Sequence, residues 1–259
     1  MIPLPIAPLT GVTILVTRPA GQTESLCARI DQSGGHPIAF PTIAIEPVSI
    51  APELGAQTPE YDWLIFVSVN AVEHGRRRVT VGERTRTAAI GKATAAALES
   101  KKIRVDVCPK NGATSEALLD HPDLKQIANQ SVLIVKGEGG RELLHDALLQ
   151  RGARVTTLDV YRRILPVIEA VAVQQLEHRW REDPVDIVTL TSVQTLDNLL
   201  ALLTSDGRAL LGSTAFVTVS ERIAAAARAH GLQGFAVLSR GADDESIIGA
   251  IAAWHARAR

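Results

Sequence analysis

Cysteine is scarce: Cys27 and Cys108 stand far apart, with no CxxC pair and no Cys/His cluster, which leaves a disulfide framework or a zinc site without support. Both thiols read as buried packing groups. No run of about 18 apolar residues occurs, and the opening MIPLPIAPLTG has no charged leader, so the expectation is a cytoplasmic protein with neither signal peptide nor membrane span. An excess of either charge is also missing. Lys and Arg number 27 against 28 Asp and Glu, a formal charge of −1, which supplies no field to hold nucleic acid or an anionic membrane. GxGxxG, GxxxxGK[ST], HExxH and GxSxG are all absent, which argues against dinucleotide, P-loop, zinc-protease and serine-hydrolase chemistry.

What the chain does have is 46% hydrophobic residues, enough for a sizeable core. They fall into short β-branched runs separated by longer Ala/Leu-rich stretches of helical period, the pattern of βα units around a parallel sheet. The spacing predicts strands at 13–17, 63–68, 87–91, 131–136, 186–192, 213–220 and 235–239. Four stretches recur in order: ILVTRPAGQ from Ile14 as LIVKGEGGR from Leu133, DWLIFVSVNAV from Asp62 as DIVTLTSVQTL from Asp186, AIGKATAAAL from Ala89 as FVTVSERIAAAA from Phe216, and GATSEALL from Gly112 as GADDESII from Gly241. The offsets grow from 119 to 129, as loop insertions would make them, so a unit of about 120 residues is duplicated.

Two similar α/β lobes with parallel sheets follow. FPTIAIEPV (40–48) and LDVYRRILPV (158–167) interrupt the βα rhythm, and each contains a proline that disfavours helix. Read as paired connectors, they give one lobe of residues 49–157 and a discontinuous lobe of 1–39 plus 168–259. Ligands bind beyond the C-terminal ends of parallel strands, where helix N-termini present free N–H groups that favour anions. The repeated tips, TRPAGQ, SVNA, GKAT, NGATSE, KGEGGR, SVQT, VSER and RGADDE, are rich in Gly, Ser and Thr. Each hydroxyl is first a helix cap, yet eight such tips on facing lobes suit a ligand bearing many carboxylates or phosphates. HGRRR at 74–78 reads as a cationic helix end, and ADDE at 242–245 as an acidic helix start. Tyr161, one of two tyrosines, either packs or offers a phenol to a leaving group.

As an ordered set, VTRPAGQ, YDWLIFVSVNAVEHG, AAIGKATAAAL, VLIVKGEGGRELLHDALLQRGARV, LDVYRR, DIVTLTSVQTLDNLL, VSERIAAAARAHG and GADDESIIGAI resemble the uroporphyrinogen-III synthase family across nearly the whole chain. The resemblance implies two flavodoxin-like lobes joined by a two-stranded linker. It implies a cofactor-free enzyme acting on a small linear tetrapyrrole, hydroxymethylbilane; the balanced charge and the lack of an evident apolar stripe make a monomer the expectation, with transient contact to the preceding pathway enzyme a further one. That substrate carries eight carboxylates and is closed to uroporphyrinogen III with inversion of the last pyrrole ring and loss of water. Carried over residue by residue, the resemblance places Thr17, Arg18, Ser68, Asn70, Gly91, Thr94, Lys136, Gly137, Ser192 and Ser220 around the substrate, and Tyr161 beside the departing hydroxyl. VTVSER departs from the family pattern, with Thr218 and Ser220 where a glycine and a nearby threonine are usual. The alternatives are a two-lobe ligand-binding or sensor module, or a glycosyltransferase-like enzyme binding a nucleotide sugar.

Overall fold

The computed structural model describes residues 7–49, 60–140 and 142–258. Residues 1–6, on which the expectation of no signal peptide rests, and Arg141 of KGEGGR lie outside the described residues. In chain order the elements are β1 (Thr13–Val16), α1 (Ala20–Gln32), β2 (His36–Ala39), β3 (Ala44–Pro47), β4 (Trp63–Phe66), α2 (Val69–Gly75), β5 (Arg86–Ala89), α3 (Lys92–Ser100), α4 (Ser115–Leu119) and α5 (Pro122–Lys125). There follow β6 (Ser131–Gly137), α6 (Leu143–Gln150), β7 (Arg154–Ile164), α7 (Ala170–Glu182), β8 (Ile187–Leu190), α8 (Val193–Leu202), α9 (Ser205–Ser213), β9 (Ala215–Thr218), α10 (Glu221–Ala229), β10 (Ala236–Leu238) and α11 (Asp244–Ala258). Residue contacts divide them into two compact units, one holding the chain up to Ala44 and from Ile164 onward, the other Ile45–Arg163.

The first unit is built on a sheet of order β10-β9-β8-β1-β2, with parallel pairings throughout. This is the doubly wound order of flavodoxin-like folds. The second sheet runs β3-β7-β6-β4-β5, and the pairings among β7, β6, β4 and β5 are parallel. The sequence repeat becomes visible as geometry, because β9-β8-β1-β2 matches β5-β4-β6-β7 strand for strand. Even β10 has a counterpart: Val107 forms a single parallel bridge to Ala88 on β5, where β10 lies beside β9. The two copies are thus the same sheet entered at different strands.

The central strands β1, β4 and β8 are buried on both faces, which is why each reads as a mostly apolar run. On β4, Trp63 and Ile65 enter one core while Leu64 and Phe66 enter the other; on β1, Ile14 and Val16 oppose Leu15 in the same way. An aspartate locks each central register. Asp186 Oδ2 accepts the Thr13 N–H at 2.8 Å, and its repeat mate Asp62 accepts the Ser131 N–H at 2.7 Å and the Ser131 hydroxyl at 2.8 Å. Those two donors hold the Asp62 carboxyl below its ordinary value.

Three features differ from the sequence expectation. β2 (HPIA) was not foreseen, because Pro37 lowers strand propensity; it is accommodated at the edge of its sheet, where a missing N–H breaks no ladder. The connector 158–167 is not a separate element, since its first seven residues continue β7, with β3 alongside and Val48 N–H donating to Val160 O at 3.1 Å. Cys27 and Cys108 are half-buried rather than buried, and burial raises both thiols above their usual value. HGRRR and ADDE take the local roles expected of them. α2 ends at Gly75 with a single 3-10 turn at Arg76–Arg78, and α11 begins on Asp244 and Glu245. Among the described residues no helix is long and apolar enough to cross a membrane.

Candidate functional site

The serines at the strand tips are helix caps in extended backbone. Ser68 accepts the Ala71 N–H at 2.9 Å at the start of α2, Ser192 the Thr195 N–H at 3.0 Å at α8, and Ser220 the Ile223 N–H at 3.4 Å at α10. Gly91 stands at the same place before α3, where a Cβ would come within 2.5 Å of the Ala113 methyl carbon. Asn70 lies half-buried in the first turn of α2, whereas Thr94 is buried inside α3.

In the first unit the predicted residues are committed to the protein itself. Thr17 is fully buried and its hydroxyl donates to Thr189 O, while its N–H donates to Thr189 Oγ1 at 3.0 Å. Arg18, also buried, pairs with Asp244 and donates to Ala242 O. The acidic start of α11 is therefore the partner of the arginine in TRPAGQ. Thr42 completes this tip: its hydroxyl donates to Thr17 O at 3.0 Å, and Asn198 donates to Thr42 O at 2.7 Å.

The second unit differs at its strand tips. At the C-terminal ends of its strands lies a cavity of about 370 Å³, bordered by Thr114, Ser115, the turn Lys136–Gly140, Glu142, His145, Tyr161 and Arg163. Of the predicted residues, Lys136, Gly137 and Tyr161 line it, and Ser68 joins them through the Tyr161 hydroxyl, 3.1 Å away.

A local irregularity aims the tyrosine. Lys136 pairs with Asp159 but Gly137 with Tyr161, so Val160 is an extra residue on β7. Such a bulge breaks the alternation of side chains and redirects the next one. Val160 and Tyr161 are consequently both buried, and the phenol ring lies flat against Gly137. A Cβ there would sit 2.5 Å from Tyr161 Cζ, so Gly137 is a platform for the ring. Gly137→Ala is expected to cost about 1–3 kcal/mol by overpacking, read as a fall in the denaturant midpoint at constant slope. His74 faces the same ring, with centroids 6.0 Å apart.

Among the described residues that border the cavity, the charged side chains are Glu116, Glu138, Glu142, Lys136 and Arg163, with His145 beside them. Lys136 is engaged, with Nζ 3.1 Å from Glu142 Oε1, 3.2 Å from Gly139 O and 4.0 Å from Asp159 Oδ1. Burial, aided by Glu138 and Glu142 and opposed by Lys136, raises the Asp159 carboxyl above its ordinary value. In the turn that borders the cavity, Gly139 and Gly140 take φ of 69° and 92°, a region open mainly to glycine.

Sequence reasoning named the tip NGATSE without singling out Thr114, and it passed over Glu142, His145 and Arg163. Thr114 carried a signal, a Thr-x-x-Ala cap at a strand end; it accepts the Ala117 N–H at 3.2 Å. The other three reach the cavity from the residue before α6 (Glu142), from α6 itself (His145) and from the far end of β7 (Arg163), which only tertiary packing brings there.

The family model described as uroporphyrinogen-III synthase HemD matches residues 24–248. A curated uroporphyrinogen-III synthase of Escherichia coli K12 is 33% identical over 251 residues, covering 93% of this chain and all of that protein. The enzyme of the same name from Synechococcus elongatus is 31% identical, covering 77% of each. In fold, the chain is similar to the uroporphyrinogen-III synthetase structure from Helicobacter pylori (TM-score 0.59, 14% identity, 94% of this chain and 99% of that one). It is similar also to a mutant uroporphyrinogen III synthase from Thermus thermophilus (TM-score 0.54, 20% identity, 95% and 99%). With the match running through both copies of the duplicated sheet and through the Tyr161 strand, the chain belongs to the uroporphyrinogen-III synthase family.

Proposed function

We propose that Tyr161 is the proton donor in the cyclisation that this family carries out, and that the cavity beside it receives the reacting end of the substrate. The reaction closes hydroxymethylbilane to uroporphyrinogen III, inverting the last pyrrole ring and releasing water. The observation that carries the reading is the placement of a phenol, its ring clamped on Gly137, at a cavity whose other wall is a glycine-rich turn.

Loss of the hydroxyl requires a proton on the departing oxygen. In this reading Tyr161 lends it as the carbon–oxygen bond breaks, leaving water, a phenolate and an electrophilic protonated azafulvene whose pyrrole N–H is retained. Attack by a substituted carbon of the last ring gives a spiro intermediate, which opens and recloses at the unsubstituted carbon; the proton shed there restores the phenol. Uncatalysed closure joins the chain without inversion, so the product is decided by how the ends are held. Main-chain amides of the Gly137–Gly140 turn hold substrate carboxylates, and the caps Ser68, Ser192 and Ser220, with Gly91, keep the other tips in the shape that presents such amides. Asn70, on α2, and Lys136 remain substrate contacts in the proposal. Thr17, Arg18 and Thr94 support it from within the fold, as their burial suggests.

The proposal takes the working form to be a cytoplasmic monomer that receives its reactive substrate from the enzyme preceding it. Its test is incubation with freshly made hydroxymethylbilane and separation of the uroporphyrinogen isomers. Isomer III in excess is the expected product; isomer I alone would overturn the reading.

A further inference from the structure

Ser68 and Ser192 are repeat mates and cap their helices alike, but their hydroxyls have different neighbours. Ser192 Oγ lies 2.8 Å from Thr195 Oγ1 within its own turn. Ser68 Oγ lies 3.1 Å from the Tyr161 hydroxyl, across 93 positions of chain. The duplicated cap has therefore acquired a phenol partner in one copy, supplied by the bulge at Val160.

A count of donors and acceptors favours one direction for that hydrogen bond. Ser68 Oγ already accepts the Ala71 N–H at 2.9 Å. A serine hydroxyl has one proton to donate, and a half-buried O–H is costly to leave unpaired. Its available acceptor here is the phenol oxygen. We infer that Ser68 donates to Tyr161 Oη, so that the phenol proton is turned away from the protein and toward the cavity. A tyrosine that spent its proton on Ser68 would have none ready for a departing hydroxyl. Ser68 is then a positioning residue: it contacts the proton donor, and its effect on the chemistry passes through Tyr161. This role rests on the proposed function of Tyr161 and replaces, for Ser68, direct contact with a substrate carboxylate.

Ser68→Asp separates the two jobs of this side chain. Aspartate caps a helix as well as serine does but has no proton to give at neutral pH, so Tyr161 must donate to it. The experiment is run in a Tyr61→Phe chain, where Tyr161 is the sole tyrosine. The intensity ratio of the phenol ring doublet in the off-resonance Raman spectrum is high when the oxygen only accepts a hydrogen bond, intermediate when it both accepts and donates, and low when it only donates. The unaltered Ser68 chain is expected to give an accepting ratio, intermediate or higher, and Ser68→Asp the donor ratio, with kcat reduced about three- to tenfold and KM within about twofold. Ser68→Thr, which keeps both cap and proton, is expected to retain both the ratio and kcat. Added to Tyr161→Phe, Ser68→Asp should cause no further loss of kcat.

A donor ratio with Ser68 in place, or a ratio that Ser68→Asp does not move, overturns the inference. So does a loss expressed in KM that persists in the Tyr161→Phe background. The Raman result does not depend on turnover, so failure to form isomer III would discredit the proposed reaction while leaving the direction of the hydrogen bond established.

Discussion

Tyr161→Phe is expected to lower kcat about 100-fold or more with little change in KM, the scale of a missing general acid. The substitution deletes one oxygen and keeps the ring that rests on Gly137, so packing is preserved. What it removes from the folded protein is the hydrogen bond to Ser68 Oγ, worth about 1 kcal/mol, and circular dichroism and the thermal midpoint should hardly change. The residual product should still be isomer III, because proton delivery and ring orientation are assigned to different groups, the phenol and the main-chain turn. Full turnover in the variant would remove Tyr161 from the mechanism. A rise in isomer I would mean that the phenol helps to orient the substrate.

Arg18→Leu should have its largest effect on stability. The guanidinium is buried against the Asp244 carboxylate, with side-chain exposures of 5% and 15%, and removing it leaves a mostly buried anion short of its main partner. Ser25, whose hydroxyl donates to Asp244 Oδ2 at 2.6 Å, compensates in part. A loss of about 3–5 kcal/mol is expected, which corresponds to a fall on the order of 10 °C in the thermal midpoint. Replacing Asp244 by leucine as well should restore a good part of it, since two apolar groups leave no unpaired charge. An Arg18→Leu protein with an unchanged midpoint and a raised KM would instead make Arg18 a substrate contact, as the family resemblance implies.

Position 18 also shows what duplication does and does not preserve. By the offset of 119 it is the repeat mate of Gly137. One copy uses the site for a buried cation that ties β1 to α11, the other for a bare backbone against which a phenol is laid. Sequence likeness marked the two tips as equivalent, and in strand order they are. Their chemistry diverged because the next strand over differs, with the bulged Val160–Tyr161 pair on β7 and the edge strand β2 in the matching place.

The sequence by itself determined the doubly wound sheets, the repeat and the tips as the place of chemistry. These depend on short-range signals: an apolar run buried on both faces, a Ser or Thr three residues before an N–H it can cap, a glycine where the chain turns. It did not reveal β2, hidden by its proline, or the extent of β7, whose burial alternates with neither period because of the bulge and the sheet position. Only the tertiary structure decided which predicted residues share a cavity. The Ser68–Tyr161 and Arg18–Asp244 contacts join residues 93 and 226 positions apart, and strand register, set by the packing of whole faces, is what brings such pairs within reach.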